Sequence, residues 1–230
     1  GGIVCEENMF ITTWKTDNQG TSNDTSITIP TSGTGYNYDV DWDNDGTFDE
    51  FGLTSDATHD YTTAGTYTVQ IRGAFPRIYF NNTGDKDKIT DIAQWGTIQW
   101  TSMESAVQGC SNLEMSATDA PDLSNVGNMG IMFYGAIIFN GDLSTWDTSG
   151  IWYMGAMFRG AAAFNGNIRN WDVSSVTIMT QMFIYAIAFN QDLSAWQTSN
   201  VTNLGSVFSG ADACNQDLSA WDTSNVTTMN

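Results

Sequence analysis

The chain has 230 residues, with 7 Lys and Arg against 26 Asp and Glu and a formal net charge of −19. A surface this acidic repels phosphate backbones and anionic headgroups, which argues against nucleic-acid and membrane-surface binding. At 41% hydrophobic and 13% aromatic it is a folding chain rather than an acidic tail, and no apolar run reaches the roughly 20 residues of a membrane span. Cys5, Cys110 and Cys214 form no CxxC pair, and His59 is the single histidine, so neither a zinc site nor a histidine-based triad has support. The residue inventory points away from an enzyme. The Gly1-Gly2 start, with no signal-peptide pattern, is expected to be a processed end or a cloning scar.

In chain order, Phe10–Trp14, Ile27–Ile29, Tyr36–Trp42 and Thr66–Ile71 alternate apolar and polar residues, the period of half-buried strands. Ser, Thr, Asn, Gly and Asp clusters separate them at the spacing of a β-sandwich. The phrase His59-Asp-Tyr61-Thr-Thr-Ala-Gly65-Thr-Tyr67-Thr-Val69 resembles the last hairpin of a polycystic-kidney-disease (PKD) domain, an Ig-like sandwich of extracellular proteins. Val40-Asp-Trp42-Asp-Asn-Asp-Gly46 is similar to that family's Trp-Asp-Phe-Gly-Asp-Gly turn with an acidic insertion. The resemblance spans about residues 8 to 75, and His59 is expected to pack at the start of the hairpin rather than act chemically.

The insertion carries the one clear metal pattern. Asp41, Asp43 and Asp45 stand at loop positions 1, 3 and 5, Gly46 at 6, Thr47 at 7 and Asp49 at 9. Calcium takes six to eight oxygens, and this spacing wraps alternate side chains around one ion, with Thr47 able to offer its backbone carbonyl. Position 12 is Gly52 rather than Glu, so the loop is no EF-hand. It is similar to the Asp-x-Asp-x-Asp-Gly-x-x-Asp loops of integrin-type modules. Asp39 and Glu50 are further possible ligands. The expected cofactor is structural calcium; the competing reading is an acidic hairpin tip with no ion.

From about residue 85 the chain repeats every 25 residues. Trp146, Trp171, Trp196 and Trp221 keep the step, as do Phe133, Phe158, Phe183 and Phe208, and Asn140, Asn165, Asn190 and Asn215. A fixed period of this length predicts a solenoid. Leu143-x-x-Trp146-x-Thr148 matches the strand of a leucine-rich repeat, while Ile151, Met154, Phe158 and Ala161 recur every three or four residues and predict a helix, with Ser149 as its N-cap. The asparagine column predicts a ladder that satisfies turn backbone.

The fold expected is therefore α+β overall: an Ig-like β-sandwich over residues 1–80, then a leucine-rich-repeat-like α/β solenoid of 25-residue units over 81–230. Phe189-Asn-Gln-Asp-Leu-Ser-Ala-Trp196-Gln-Thr-Ser-Asn-Val-Thr202 closely resembles the repeat of BspA-like leucine-rich-repeat bacterial surface proteins. That resemblance implies a secreted or cell-surface protein, some relatives being adhesins. The function expected is non-enzymatic binding or adhesion, stabilised by calcium. The alternative is a subunit that self-assembles head-to-tail into a filament or layer. Repeating Trp and Met columns read as core, and Asp147, Asp172, Gln197 and Asp222 as an outward polar ladder. The non-repeating Tyr134, Trp152, Tyr153, Ile178, Ile184 and Tyr185 are the candidate contact with a protein partner or another copy. Trp221, Val226 and Met229 mark an end that either lost further repeats or is covered by another chain. Cys110 and Cys214, about four units apart, are not expected to pair.

Overall fold

A computed structural model describes residues 9–229. Cys5, Gly1-Gly2 and Asn230 lie outside the described residues. Among the described residues eight strands form: β1 (Phe10–Lys15), β2 (Ser26–Ile29), β3 (Asn37–Asp41), β4 (Glu50–Leu53), β5 (Ala57–Asp60), β6 (Thr66–Ala74), β7 (Ile89–Gln94) and β8 (Glu114–Met115). Six make one sheet in the order β4-β3-β6-β1-β7-β8, and β2 pairs with β5 in a second. Only β7 and β8 run parallel; the other pairs are antiparallel.

Alternation decides the faces. In β1, Phe10, Thr12 and Trp14 are buried while Lys15 is exposed, and the Trp14 indole N–H donates to Thr12 Oγ1 at 2.8 Å, so both buried polar atoms are satisfied. Gly73 in β6 lies against the carbonyl of Asn37, and its φ of 91° suits a residue without a Cβ. The sheet continues past residue 80, because β7 adds to the free edge of β1.

A polar plug closes this region. Lys88 is fully buried, and its ammonium donates to the carbonyls of Ser22, Asn23 and Ser26 and to Ser22 Oγ, at 2.7–3.1 Å. Asp85, also buried, accepts from the backbone N–H groups of Thr21, Ser22 and Thr28. Two charges thus tie the 21–28 segment to the turn that leads into β7, each surrounded by donors or acceptors of the proper sign.

The α+β expectation does not hold. Among the described residues there is no helix, and the chain is all-β with turns. The leucine-rich-repeat solenoid of strand plus helix is therefore wrong, and the hydrogen bonds show why. Over the segment expected to be helical, alternate N–H groups point in different directions. Met154, Ala156, Phe158 and Gly160 donate to Ile178, Thr180, Met182 and Ile184 of the following unit, whereas Met157, Arg159 and Ala161 donate three residues back, to Met154, Ala156 and Phe158. An α-helix would send every N–H four residues back. Here half of the peptides close tight turns and half reach the neighbour. This alternation requires left-handed backbone at Ile131, Ala156, Gln181 and Ser206, with φ between 52° and 62°, and again four residues on at Gly135, Gly160, Tyr185 and Gly210.

The parallel bridges fall at Asn128, Tyr153, Ile178, Asn203 and Thr228, not in the Leu143–Thr148 stretch expected to be the strand. The serines expected to cap helices are themselves capped: Ser149, Ser174 and Ser224 donate their N–H to Asp147, Asp172 and Asp222. The asparagine ladder forms, on the surface. Asn140, Asn165 and Asn190 each accept, through Oδ1, the N–H of the next asparagine at 2.8–3.0 Å.

Inside, ring columns run along the stack. Phe133, Phe158, Phe183 and Phe208 stack at 5.4–5.7 Å with planes within 5°. Trp171, Trp196 and Trp221 donate their indole N–H to the carbonyls of Leu143, Ile168 and Leu193 in the preceding unit. Neither Cys110, which is buried, nor Cys214 is in a disulfide.

Candidate functional site

The acidic loop joins β3 to β4. Asp41 ends β3 and is fully buried; its carboxylate accepts the N–H of Asn44 at 2.7 Å and of Gly46 at 2.9 Å. Asn44 and Gly46 both have positive φ, 61° and 86°, which turns the loop back over Asp41. Asp49 accepts the N–H of Trp42 at 2.9 Å and so faces Asp41 from the returning arm. One carboxylate oxygen from each of Asp41, Asp43 and Asp49 lies within 4.8 Å of the others. Two oxygens bound to one calcium at 2.3–2.6 Å are at most about 5 Å apart, so this spread admits a shared hard cation. Burial pushes the Asp41 carboxyl above the ordinary range, partly offset by the N–H groups of Gly46 and Asn44.

The other expected ligands are placed differently. Asp45 caps the N–H of Thr47 at 2.7 Å, and neither Asp45 nor Thr47 belongs to the carboxylate trio. Asp39 is paired with Arg72 at 2.9 Å and accepts the Gly52 N–H, while Glu50 accepts the Trp42 indole N–H at 3.0 Å. His59 stacks on Trp42 at 5.0 Å and meets the edge of Tyr61 at 4.5 Å, a packing role.

A second candidate lies on the stacked units, on the outward side of the alternating segments. Trp152 is 49% exposed and rests on Gly127, whose missing Cβ leaves room for the indole. Tyr153 touches Trp152 at 5.7 Å and runs over Gly130 and Gly155. Tyr134 and Ile178 are half-buried, and Ile184 is buried at 7%. Tyr185 is 60% exposed, with its ring over Gly210. It occupies the left-handed position that is glycine at 109, 135, 160 and 210, and a side chain there costs about 1–2 kcal/mol.

Arg159 was not singled out from the sequence. Its guanidinium lies 5.4 Å from the Tyr134 ring centre and donates to Gln181 Oε1 at 2.6 Å. The outward Asp columns sit elsewhere on each unit, where the serine two residues on holds the Asp122, Asp147, Asp192, Asp217 and Asp222 carboxyls below their ordinary range by hydrogen bonding.

At the far end of the stack, Trp221 is half-buried against Trp196 at 6.1 Å, Val226 is half-buried, and Met229 is 62% exposed. Among the described residues no helix is long and apolar enough to cross a membrane.

A protein-family profile described as "Mycoplasma protein of unknown function, DUF285" matches residues 77–183 and 165–230, together more than half of the chain. No curated protein and no solved structure matches it. The match begins just before Phe80, whose N–H donates to the carbonyl of Ala106 and so opens the ladder of stacked units. The chain belongs to the DUF285 family.

Proposed function

We propose that this protein is a non-enzymatic binding or adhesion protein displayed at the cell surface, with its acidic loop holding a structural calcium ion. The observation that carries the binding reading is the pair of exposed rings, Trp152 beside the half-buried Tyr153 and Tyr185 in the next unit, each laid over a glycine, with Tyr185 in left-handed backbone. Exposed Trp and Tyr beside Arg are the side chains that dominate contact energy in recognition surfaces. The resemblance of the repeat phrase to bacterial surface proteins supports the location. Catalysis finds less support, since His59 is stacked between aromatic rings and the columned carboxylates cap turns.

For the loop, the support is the convergence of Asp41, Asp43 and Asp49. A buried carboxylate whose ionisation is disfavoured gains most from a cation placed beside it. Calcium added to metal-free protein is expected to raise the melting temperature, with midpoints in the millimolar to submillimolar range of extracellular modules. Terbium in the same loop should luminesce on excitation of Trp42. Asp43→Ala should remove both effects; a melting curve indifferent to calcium, with no terbium emission, would sink the metal reading.

The binding reading is tested by fluorescently labelled protein on intact cells in flow cytometry. Wild type should be retained and the Trp152→Ser/Tyr185→Ser double variant washed away. Equal retention of the two would discard this surface.

A further inference from the structure

The asparagine ladder is uneven along its length, and the residue after each rung makes the difference. Asn140, Asn165, Asn190 and Asn215 are followed by Gly141, Gly166, Gln191 and Gln216. Where the next unit carries glutamine, its amide clamps the rung before it. Gln191 Nε2 donates to both the backbone carbonyl and the Oδ1 of Asn165, at 2.8 and 3.1 Å. Gln216 Nε2 donates to the same two atoms of Asn190, at 3.0 and 2.7 Å. Asn140 has no such clamp, because the following unit has Gly166 at that position. Among the described residues its Oδ1 accepts one N–H, that of Asn165, at 2.8 Å.

The two Asn-Gly pairs also differ in their surroundings. Asn140 is exposed, and with Gly141, Glu114, Met115 and Ile138 it lines an open cavity of about 210 Å³. A Cβ on Gly141 would lie 2.8 Å from the Met115 Cε, so this peptide borders a flexible side chain. A Cβ on Gly166 would lie 2.3 Å from the carbonyl oxygen of Gly141, so that peptide is wedged against backbone. Among the described residues the Gly141 N–H donates to no acceptor.

We infer that Asn140 and Gly141 form a self-modifying site, at which the asparagine amide is lost in a reaction that the fold permits here and restrains at Asn165. The Gly141 nitrogen attacks Cγ of Asn140, and the new N–Cγ bond closes a five-membered succinimide. The Gly141 proton leaves through water, the Cγ–Nδ2 bond breaks, and the nitrogen departs as ammonia. One water from the cavity then opens the ring at either carbonyl, giving aspartate or isoaspartate. The nucleophile is unbonded and carries no Cβ to crowd the ring. The Asn165 N–H on Oδ1 stabilises the oxyanion of the tetrahedral intermediate. The missing clamp decides between the two pairs. In the ring the two carbonyl oxygens lie on either side of the nitrogen and its Cα, so one amide gripping both must let go before closure. Aspartate keeps an oxygen for the Asn165 N–H. Isoaspartate lengthens the backbone by one carbon and puts this rung out of step with the next.

The test incubates the full chain in mildly alkaline buffer and reads amide-to-acid conversion at each rung by peptide mapping and mass spectrometry. In the folded chain Asn140 should convert fastest, Asn165 about fivefold more slowly, the factor expected for one further hydrogen bond to be broken, and Asn190 least. In denaturant Asn140 and Asn165 should convert alike, since each is then the same dipeptide in an open chain. Gln191→Ala removes the clamp from Asn165 and should speed its conversion about fivefold while leaving Asn140 unchanged. Equal rates at Asn140 and Asn165 in the folded wild type would overturn the assignment. So would an Asn140 no faster than Asn190, or a Gln191→Ala chain in which Asn165 stays slow.

Discussion

The strand region and the stacked units solve the same problem, pairing backbone groups in a core, with opposite reach. β1 finds its partners in β6 and β7, with Phe10 opposite Ile71 and Trp14 opposite Tyr67 on one side and Ile89 on the other, all far away along the chain. A stacked unit looks no farther than the next one, with Met154 donating to Ile178 and Met179 to Asn203. Long-range pairing makes the strand region cooperative, because no strand is complete without the others. Nearest-neighbour pairing makes the units separable in energy, so that injury to one is felt mainly by its two neighbours. The lesson is that chain order and energetic coupling can change character within one continuous molecule.

The sharpest way to break this comparison is Phe158→Ala. The ring stacks on Phe133, Phe164 and Phe183, and its loss should cost about 3–5 kcal/mol. Hydrogen exchange should accelerate in residues 129–135 and 179–185 while β1, β6 and β7 keep their protection. Uniform acceleration across the chain would show that the units and the sheet unfold as one body. Lys88→Met tests the opposite half. It leaves the carbonyls of Ser22, Asn23 and Ser26 without their donor, the last of them buried, and should cost about 3 kcal/mol, seen as a lower denaturant midpoint with protection lost throughout β1, β2 and β7 together. If only the 21–28 segment loosens, the strand region is less cooperative than its topology implies.

Acid supplies the smallest and most selective perturbation. The folded-state values of Asp122, Asp147, Asp192, Asp217 and Asp222 are depressed, so their contribution is complete above the unfolded carboxylate value of about 3.9 and is lost as pH falls through the lowered folded values. Asp41 is shifted the other way, so its ionisation costs stability, and protonation through its raised value relieves that cost. Lowering pH below about 4 should therefore weaken the stacked units before the β3–β4 loop, as read by amide exchange at pH 3 and pH 6. Loosening of the loop first would reverse the assignment.

The sequence made some of this legible. Alternation in Phe10–Trp14 is the direct imprint of a strand with one buried face, and strands formed over both that segment and the expected Thr66–Ile71, although the second buries three consecutive residues, Val69 to Ile71, and runs on to Ala74. The 25-residue columns likewise named the residues that stack. The helices failed because an apolar stripe every three or four residues also fits turns closed three residues back, provided a neighbouring unit accepts the remaining N–H groups. The warning was Gly130, Gly155 and Gly205, with Gly135, Gly160 and Gly210, recurring inside the supposed helix where glycine is costly. For the acidic loop the spacing brought Asp41, Asp43 and Asp49 together but could not foresee that Asp39 turns to Arg72 and Glu50 to Trp42. Arg159 was invisible for a different reason. Its neighbours, Gln181 and the Tyr134 ring, come from the adjoining units and meet it only once the chain has folded.

The alternating donation of peptide groups also bears on how such a chain can change its length. Because each unit offers its predecessor the same set of carbonyls that it uses in its successor, removal of 25 residues rejoins like with like. Removal of 24 or 26 would put every following side chain out of phase, turning Phe183 or Trp196 towards water. A gene encoding this molecule is therefore free to gain or lose segments of one fixed size, and each gain extends the outward face by one rung while leaving the interior rule untouched. Reach becomes a heritable variable that can be tuned without redesigning the fold.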